Sequence, residues 1–153
     1  MTGPSADASL VVDFLNTLDV DEDTDVLRQA ATWRQWAAER RLAADTLHEA
    51  RVAREALRAA VGDPDAEAKP LTVSVQIELA ADAPALTAPG AVGAVLAAAT
   101  RLAVLGEWDR VKICPADDCR WAFFDQSRNR SRTWCSMRVC GNRQKARSWR
   151  ERN

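Results

Sequence analysis

The four cysteines of this 153-residue chain all lie in its last forty residues, as two pairs of equal spacing: Cys114 with Cys119 (CPADDC) and Cys135 with Cys140 (CSMRVC). No other feature limits the fold as much. A four-residue gap brings two sulfurs to a single ion, and the fifteen residues between the pairs let the second pair come round to meet them. Zinc takes four ligands at tetrahedral corners and binds each thiolate at roughly 2.3 Å. The competing use of such cysteines is disulfide bonding, and the rest of the chain argues against it. The opening MTGPSADASLVVDFLNTL has no Lys or Arg, and Asp13 and Asn16 interrupt its apolar run, so it is no secretory signal. The longest apolar stretch, Ala91 to Leu105, is too short to span a bilayer and contains Arg101. The expected location is therefore cytoplasmic, where thiols stay reduced. Unrelated buried cysteines would not arrive as two matched pairs. The expectation is one zinc ion on Cys114, Cys119, Cys135 and Cys140. Four thiolates leave no open coordination position, so its role is structural.

Charge divides the chain as sharply as cysteine does. The formal net charge is only −1, yet residues 1–109 carry nine Lys or Arg against eighteen Asp or Glu, and residues 110–153 carry twelve against four. With 47% hydrophobic and 28% charged residues the chain reads as a globular body, acidic, with a basic end that meets something anionic. Two domains are expected, 1–106 and 107–153.

Periodicity predicts the elements. Residues 1–8 read as a loose start, and Leu10, Phe14 and Leu18 recur at helical spacing. The acidic stretch 19–25 is a loop in which Thr24 or Asp25 caps a helix carrying Val26, Ala30, Trp33 and Ala37 on one face. A second helix starts near Asp45, its cap, and runs to about Val61. After a linker at 62–70, Leu71, Val73, Val75, Ile77 and Leu79 alternate with polar residues, the pattern of a half-buried strand, with a partner near 85–87. Residues 90–105 form a helix that is apolar nearly all round and belongs in the core, ended by Gly106. Strands follow at 110–113 and 121–124, then a polar connection (DQSRNRSRTW), then a terminal helix from Cys135 or Cys140 onward. The fold class is α+β: a helical N-terminal domain with a short β-hairpin, then a small treble-clef-like or ribbon-like zinc module with a C-terminal helix.

The run WCSMRVCGNR (134–143) resembles the CGNR zinc-finger family, whose hallmark Cys-Gly-Asn-Arg is Cys140 to Arg143, and FFDQSRNRSRTWC is similar to that family's stretch between ligand pairs. DFLNT (13–17) and ARVAREAL (50–57) resemble the ABATE domain that usually precedes this finger. The resemblance implies a zinc-dependent regulator of transcription with a link to stress.

The basic residues suit that implication. Arg128, Arg130 and Arg132 on the polar connection are expected to clamp phosphates. Asn142, Arg143, Lys145, Arg147 and Arg150 are candidates for contacts to duplex DNA, with Arg143, Arg147 and Arg150 forming one stripe of the last helix. Zinc with four thiolates is formally −2, so the loaded module keeps about +6. Asn142 and Arg143 have an equal claim to a bracing role beside the zinc. Trp149 on the same helix either packs back on the finger or stacks on an unpaired base. RNA binding and an arginine-rich docking module for an acidic protein are the alternatives to DNA. Trp33, Trp36 and Trp108 read as core anchors, and Trp121 and Trp134 as walls of the zinc site. Asp13, Asn16, Arg51 and Arg54 interrupt apolar faces. They read as an ion pair of Asp13 with one of the arginines, or as a pocket for a small-molecule effector. A lone finger also gains specificity by pairing, which favours a homodimer. The single histidine, His48, is an isolated surface residue. No GxGxxG, Walker, HExxH or GxSxG motif is present, so no enzymatic activity is expected.

Overall fold

The computed structural model describes residues 3–153, so residues 1–2 of the expected loose start lie outside the described residues. Order begins earlier than periodicity predicts. The Ser5 hydroxyl accepts from the Ala8 N–H and starts helix α1 (Ala6–Leu15). The acidic stretch beyond it is a tight hairpin rather than an open loop, with β1 (Leu18–Asp19) antiparallel to β2 (Thr24–Asp25). Asp25 is the cap as expected, its Oδ1 accepting from the Leu27 N–H, but it caps a 3₁₀ turn (Val26–Arg28) that precedes α2 (Ala30–Glu39). Trp33 and Trp36 of α2 stack at 5.3 Å between centroids, and Phe14 of α1 packs edge-on against Trp36.

Helix α3 (Leu47–Ala60) is capped by Thr46 in a reciprocal box with Glu49, one residue later than expected. Asp45 has a different task. Its Oδ2 accepts from the Val92 N–H at 2.8 Å and so caps the central helix α4 (Ala91–Val104) from a distance. A Cβ on Gly90 would sit 2.4 Å from the other Asp45 oxygen, so only glycine leaves room for that carboxylate. Helix α4 is the core element expected: Val92, Val95, Ala98 and Leu102 are buried, and α1 packs along it. Gly106, at φ +70°, turns the chain out of it.

The alternating segment 71–79 departs most from expectation. Only β3 (Gln76–Ala80) is a strand, paired with β4 (Ala83–Thr87), and it is exposed rather than half-buried. Its neighbour is only five residues long, so residues 71–75 have no strand to pair with among the described residues.

Past a 3₁₀ turn (Trp108–Arg110), β5 (Val111–Ile113) and β6 (Ala122–Phe124) form an antiparallel hairpin. Val111, Ile113 and Ala122 belong to the main core, so the boundary expected between 106 and 107 lies just before a hairpin that the acidic body itself buries. A second, smaller cluster holds Cys114, Ala116, Cys119, Phe123 and Cys140, with Trp134 and Cys135 against it. The chain ends in a π-helical turn (Met137–Gly141) leading directly into α5 (Asn142–Arg152), which completes an α+β architecture.

Candidate metal centre and nucleic-acid surface

Each cysteine is placed by a local device. Cys114 ends β5, and its N–H donates to the Trp121 carbonyl across the hairpin. The chain then turns so that the N–H groups of Cys119 and Arg120 both donate to the Ala116 carbonyl, with Arg120 in the left-handed region at φ +53°. Cys135 and Cys140 flank the Ser136 cap of the π turn. Gly141 follows because a Cβ there would meet Met137 Sδ at 2.4 Å and Trp134 Cδ1 at 3.2 Å. Cysteine, glycine and close packing at the helix start are thus one requirement.

The four sulfurs lie within 4.8 Å of one another, with Cys119 to Cys135 at 3.5 Å and Cys135 to Cys140 at 3.6 Å. A tetrahedron with zinc–sulfur bonds of about 2.3 Å has edges of about 3.8 Å, so the set fits zinc. All four are free thiols. Burial opposes ionisation of Cys114, but the N–H groups of Cys135 and Ala116 point at its sulfur and hold its pKa below the ordinary thiol value. Burial and the neighbouring sulfurs push Cys135 up, and burial pushes Cys140 up to about 11. A divalent cation reverses that penalty and keeps all four as thiolates. A cleft lined by Asp21, Glu22, Trp121 and Val139 opens beside the half-buried Cys135.

The sequence profile of the CGNR zinc finger matches residues 110–153, and the ABATE profile, described as "Putative stress-induced transcription regulator", matches residues 8–125. The chain belongs to the ABATE family and ends in a CGNR zinc finger. No match was found among curated proteins. The two matched regions overlap across the β5–β6 hairpin, which is also where the two cores meet. One structural zinc on the four cysteines is what this finger holds.

The CGNR finger is fastened to the ABATE body by polar contacts that periodicity does not reveal. The Asn16 side chain pairs with Ala122 as a strand would, Nδ2 donating to its carbonyl at 2.9 Å and Oδ1 accepting from its N–H at 2.8 Å. Arg58, 1% exposed, donates to Asp63, to the Leu15 carbonyl and to the Arg120 carbonyl, joining α3, α1 and the first ligand loop. The polar connection is wrapped round the buried Asp125 and its partner Lys112. Lys112 Nζ donates to Asp125 Oδ2 at 2.7 Å and to the carbonyls of Arg130 and Arg132. Burial would raise the Asp125 pKa, but Lys112, Ser127 and the Arg132 N–H hold it far below the usual carboxylate range.

The expected effector residues do not converge. Asp13 pairs with Arg40 at 3.4 Å and not with Arg51 or Arg54. Arg54 instead forks onto Asp25, and Arg51 donates to the carbonyls of Leu27 and Arg28. With Asn16 committed to Ala122, Arg54 serves the acidic hairpin, Arg51 the 3₁₀ turn after it and Asn16 the finger joint.

Several expected DNA contacts are occupied as well. Arg130 pairs with Asp109, and Arg132 donates to the Trp134 and Cys135 carbonyls while lying over Phe123. Of the expected stripe, Arg143 and Arg147 face the first ligand loop, whereas Arg150 donates only to the Ala146 carbonyl of its own helix. Arg143 pairs with Asp118 at 3.0 Å, and Arg147 pairs with Asp117 and Asp118, each at 3.2 Å. Asn142 Nδ2 donates to the Arg138 carbonyl, a bracing contact. Two acids between two ligands of a basic module, the DD of CPADDC, were the sequence signal for this clamp. Arg128, Arg138, Lys145, Arg150 and Arg152 are exposed and have no ion-pair partner among the described residues. On α5, Asn142, Lys145, Trp149 and Arg152 recur at intervals of three and four, on the face opposite the clamped one. Trp149 is 63% exposed there and does not pack back on the finger.

Proposed function

We propose that the chain regulates transcription by docking its zinc finger on duplex DNA through the outer face of α5 and the adjoining loop. The observation that carries this reading is the sorting of cations on the finger. Arg143 and Arg147 are matched by Asp117 and Asp118, whereas Arg128, Arg138, Lys145, Arg150 and Arg152 are exposed with no ion-pair partner among the described residues. Unmatched arginine and lysine attract phosphate and release counterions on contact. The zinc holds the hairpin, the ligand loops and the start of α5 at fixed distances, so these charges form a rigid surface. Asn142, Arg143 and Arg147 act in this reading as braces that set the angle of the helix.

A salt titration tests it. Affinity of the zinc-loaded chain for duplex DNA should fall log-linearly with salt, with a slope near −0.9 for each phosphate neutralised. The double variant Lys145→Ala/Arg152→Ala should flatten that slope by about 1–2. No measurable duplex affinity at low salt with zinc present would reject it. The exposed Trp149 between Lys145 and Arg152 supports a second reading, a single-stranded nucleic acid stacked on the indole. A preference for single strands that Trp149→Ala removes would decide for it. Binding to an acidic protein but to no nucleic acid would leave the finger as a docking module.

A further inference from the structure

The alternating segment Leu71–Leu79 is longer than the ladder the chain makes with it. Pairing with β4 covers Gln76–Ala80 on one side only; among the described residues no strand lies on the outer edge of β3 or beside residues 71–75. The apolar face of the segment starts on the core and runs off it. Leu71 packs against the main cluster and Val73 reaches toward Gly93 of α4, yet Val73 and Val75 are 37% and 38% exposed and Ile77 and Leu79 are 75% and 83% exposed. Ile77 sits across from Leu86, which lines a cleft with Val104 and Leu105, themselves 82% and 71% exposed. The only charges in that cleft, Asp7 and Arg101, neutralise each other at 2.7 Å. An open edge and a continuous apolar face of this kind are a template for another strand.

We propose that the chain forms a closed two-fold dimer by antiparallel pairing of residues 71–79 with the same residues of a second copy. Three observations select this occupant. First, the two outer edges of the hairpin differ. β4 carries Pro84, with Pro89 just beyond it, and proline blunts an edge. Residues 71–79 contain no proline and one charge, Glu78. Second, the segment is self-complementary. A two-fold axis at Val75 sets Leu71 opposite Leu79, Thr72 opposite Glu78, Val73 opposite Ile77 and Ser74 opposite Gln76 of the second copy. Apolar meets apolar, polar meets polar, and the two glutamates fall at opposite ends of the ladder. Third, the pairing supplies what each copy lacks. The uncovered Ile77 and Leu79 come to lie beside the Val73 and Leu71 of the other copy, over its α4, and residues 71–75 gain a strand. A two-fold contact uses the same patch on both copies and leaves no β3 edge for further growth.

The test uses the full zinc-loaded chain. Light scattering after size exclusion, over roughly 1–200 µM, should give about twice the chain mass of 16.8 kDa at the upper end and half that on dilution. Val75→Pro removes a ladder donor, and Ile77→Glu/Leu79→Glu charges the face. Each should weaken the dimer at least tenfold, with zinc content and helical signal unchanged. Backbone amides of 71–79 should exchange slowly in the dimer and fast in both variants. Should the double glutamate variant fail to fold, Val75→Pro decides alone, since residue 75 makes no ladder contact within one copy. A monomer at every concentration would overturn the proposal and leave the edge to another protein's strand. So would a dimer that Val75→Pro leaves intact, or growth beyond two copies.

Discussion

Asp125 has no exposed surface, and its charge is held by Lys112 at 2.7 Å and by two backbone N–H groups, from Ser127 and Arg132. Its carboxyl pKa is depressed in the folded chain, so its stabilising effect is full above the unfolded value near 3.9 and fades as pH falls through the folded value. Asp125→Asn keeps the shape but loses the charge, and should cost about 2–3 kcal/mol at pH 7. Denaturant melts at pH 7 and pH 3.5 check this. Zinc loss in acid affects both proteins alike, so the difference between them reports on Asp125 and should shrink at the lower pH. Arg58 is a stricter case. Arg58→Met leaves Asp63 buried at 6% exposure without its cation and frees two carbonyls. The expected loss is about 3–5 kcal/mol, read from the same melts. Neither residue was legible in the sequence as a structural centre. One of three arginines on a helix and an aspartate in a polar run look like solvated charges until the tertiary fold closes over them.

At the scale of elements, helices were legible where an apolar stripe and a cap coincide, as in α3 and α4, and the four zinc ligands were legible because metal chemistry fixes their number and spacing. Segment 71–79 was misread in burial because alternation reports what a segment can cover, and among the described residues only its start, at Leu71, packs on the core. The cations of α5 were legible as a set, but not which of them meet acids of the finger itself. Periodicity groups Arg143, Arg147 and Arg150, but which group faces inward depends on Asp117 and Asp118, acids brought to the helix by the zinc. These pairs are 40–75% exposed on their side chains, so they add little stability and much orientation. Asp117→Asn/Asp118→Asn should therefore leave the melting temperature nearly unchanged. Under the duplex reading it should release Arg143 and Arg147 and steepen the salt slope by up to about 2. An unchanged slope, measured by fluorescence anisotropy on one duplex across salt, would mean the released arginines still face away from the DNA.

For the whole molecule the question is whether the finger is an appendage or a part of the body. A separate module would unfold on chelation and leave the acidic domain unaffected. The packing argues otherwise. Val111, Ile113 and Ala122 on the finger's hairpin are buried in the main core, Asn16 completes β6 from the end of α1, and Arg58 holds the carbonyl of Arg120 between the ligand pairs. The zinc fixes the far ends of β5 and β6 through Cys114 and Cys119, so losing the ion lets the hairpin fray toward that core. Burial of three such apolar side chains contributes a few kcal/mol at most, and a domain of this size moves by about 2–8 °C in Tm per kcal/mol. Removing zinc with a chelator should then lower the transition of the stacked Trp33–Trp36 pair, followed by near-UV circular dichroism, by about 5–10 °C. Restoring zinc should restore it. A tryptophan transition that stays in place while the finger unfolds would show that the body stands without its metal, and that the shared hairpin is a point of attachment and nothing more.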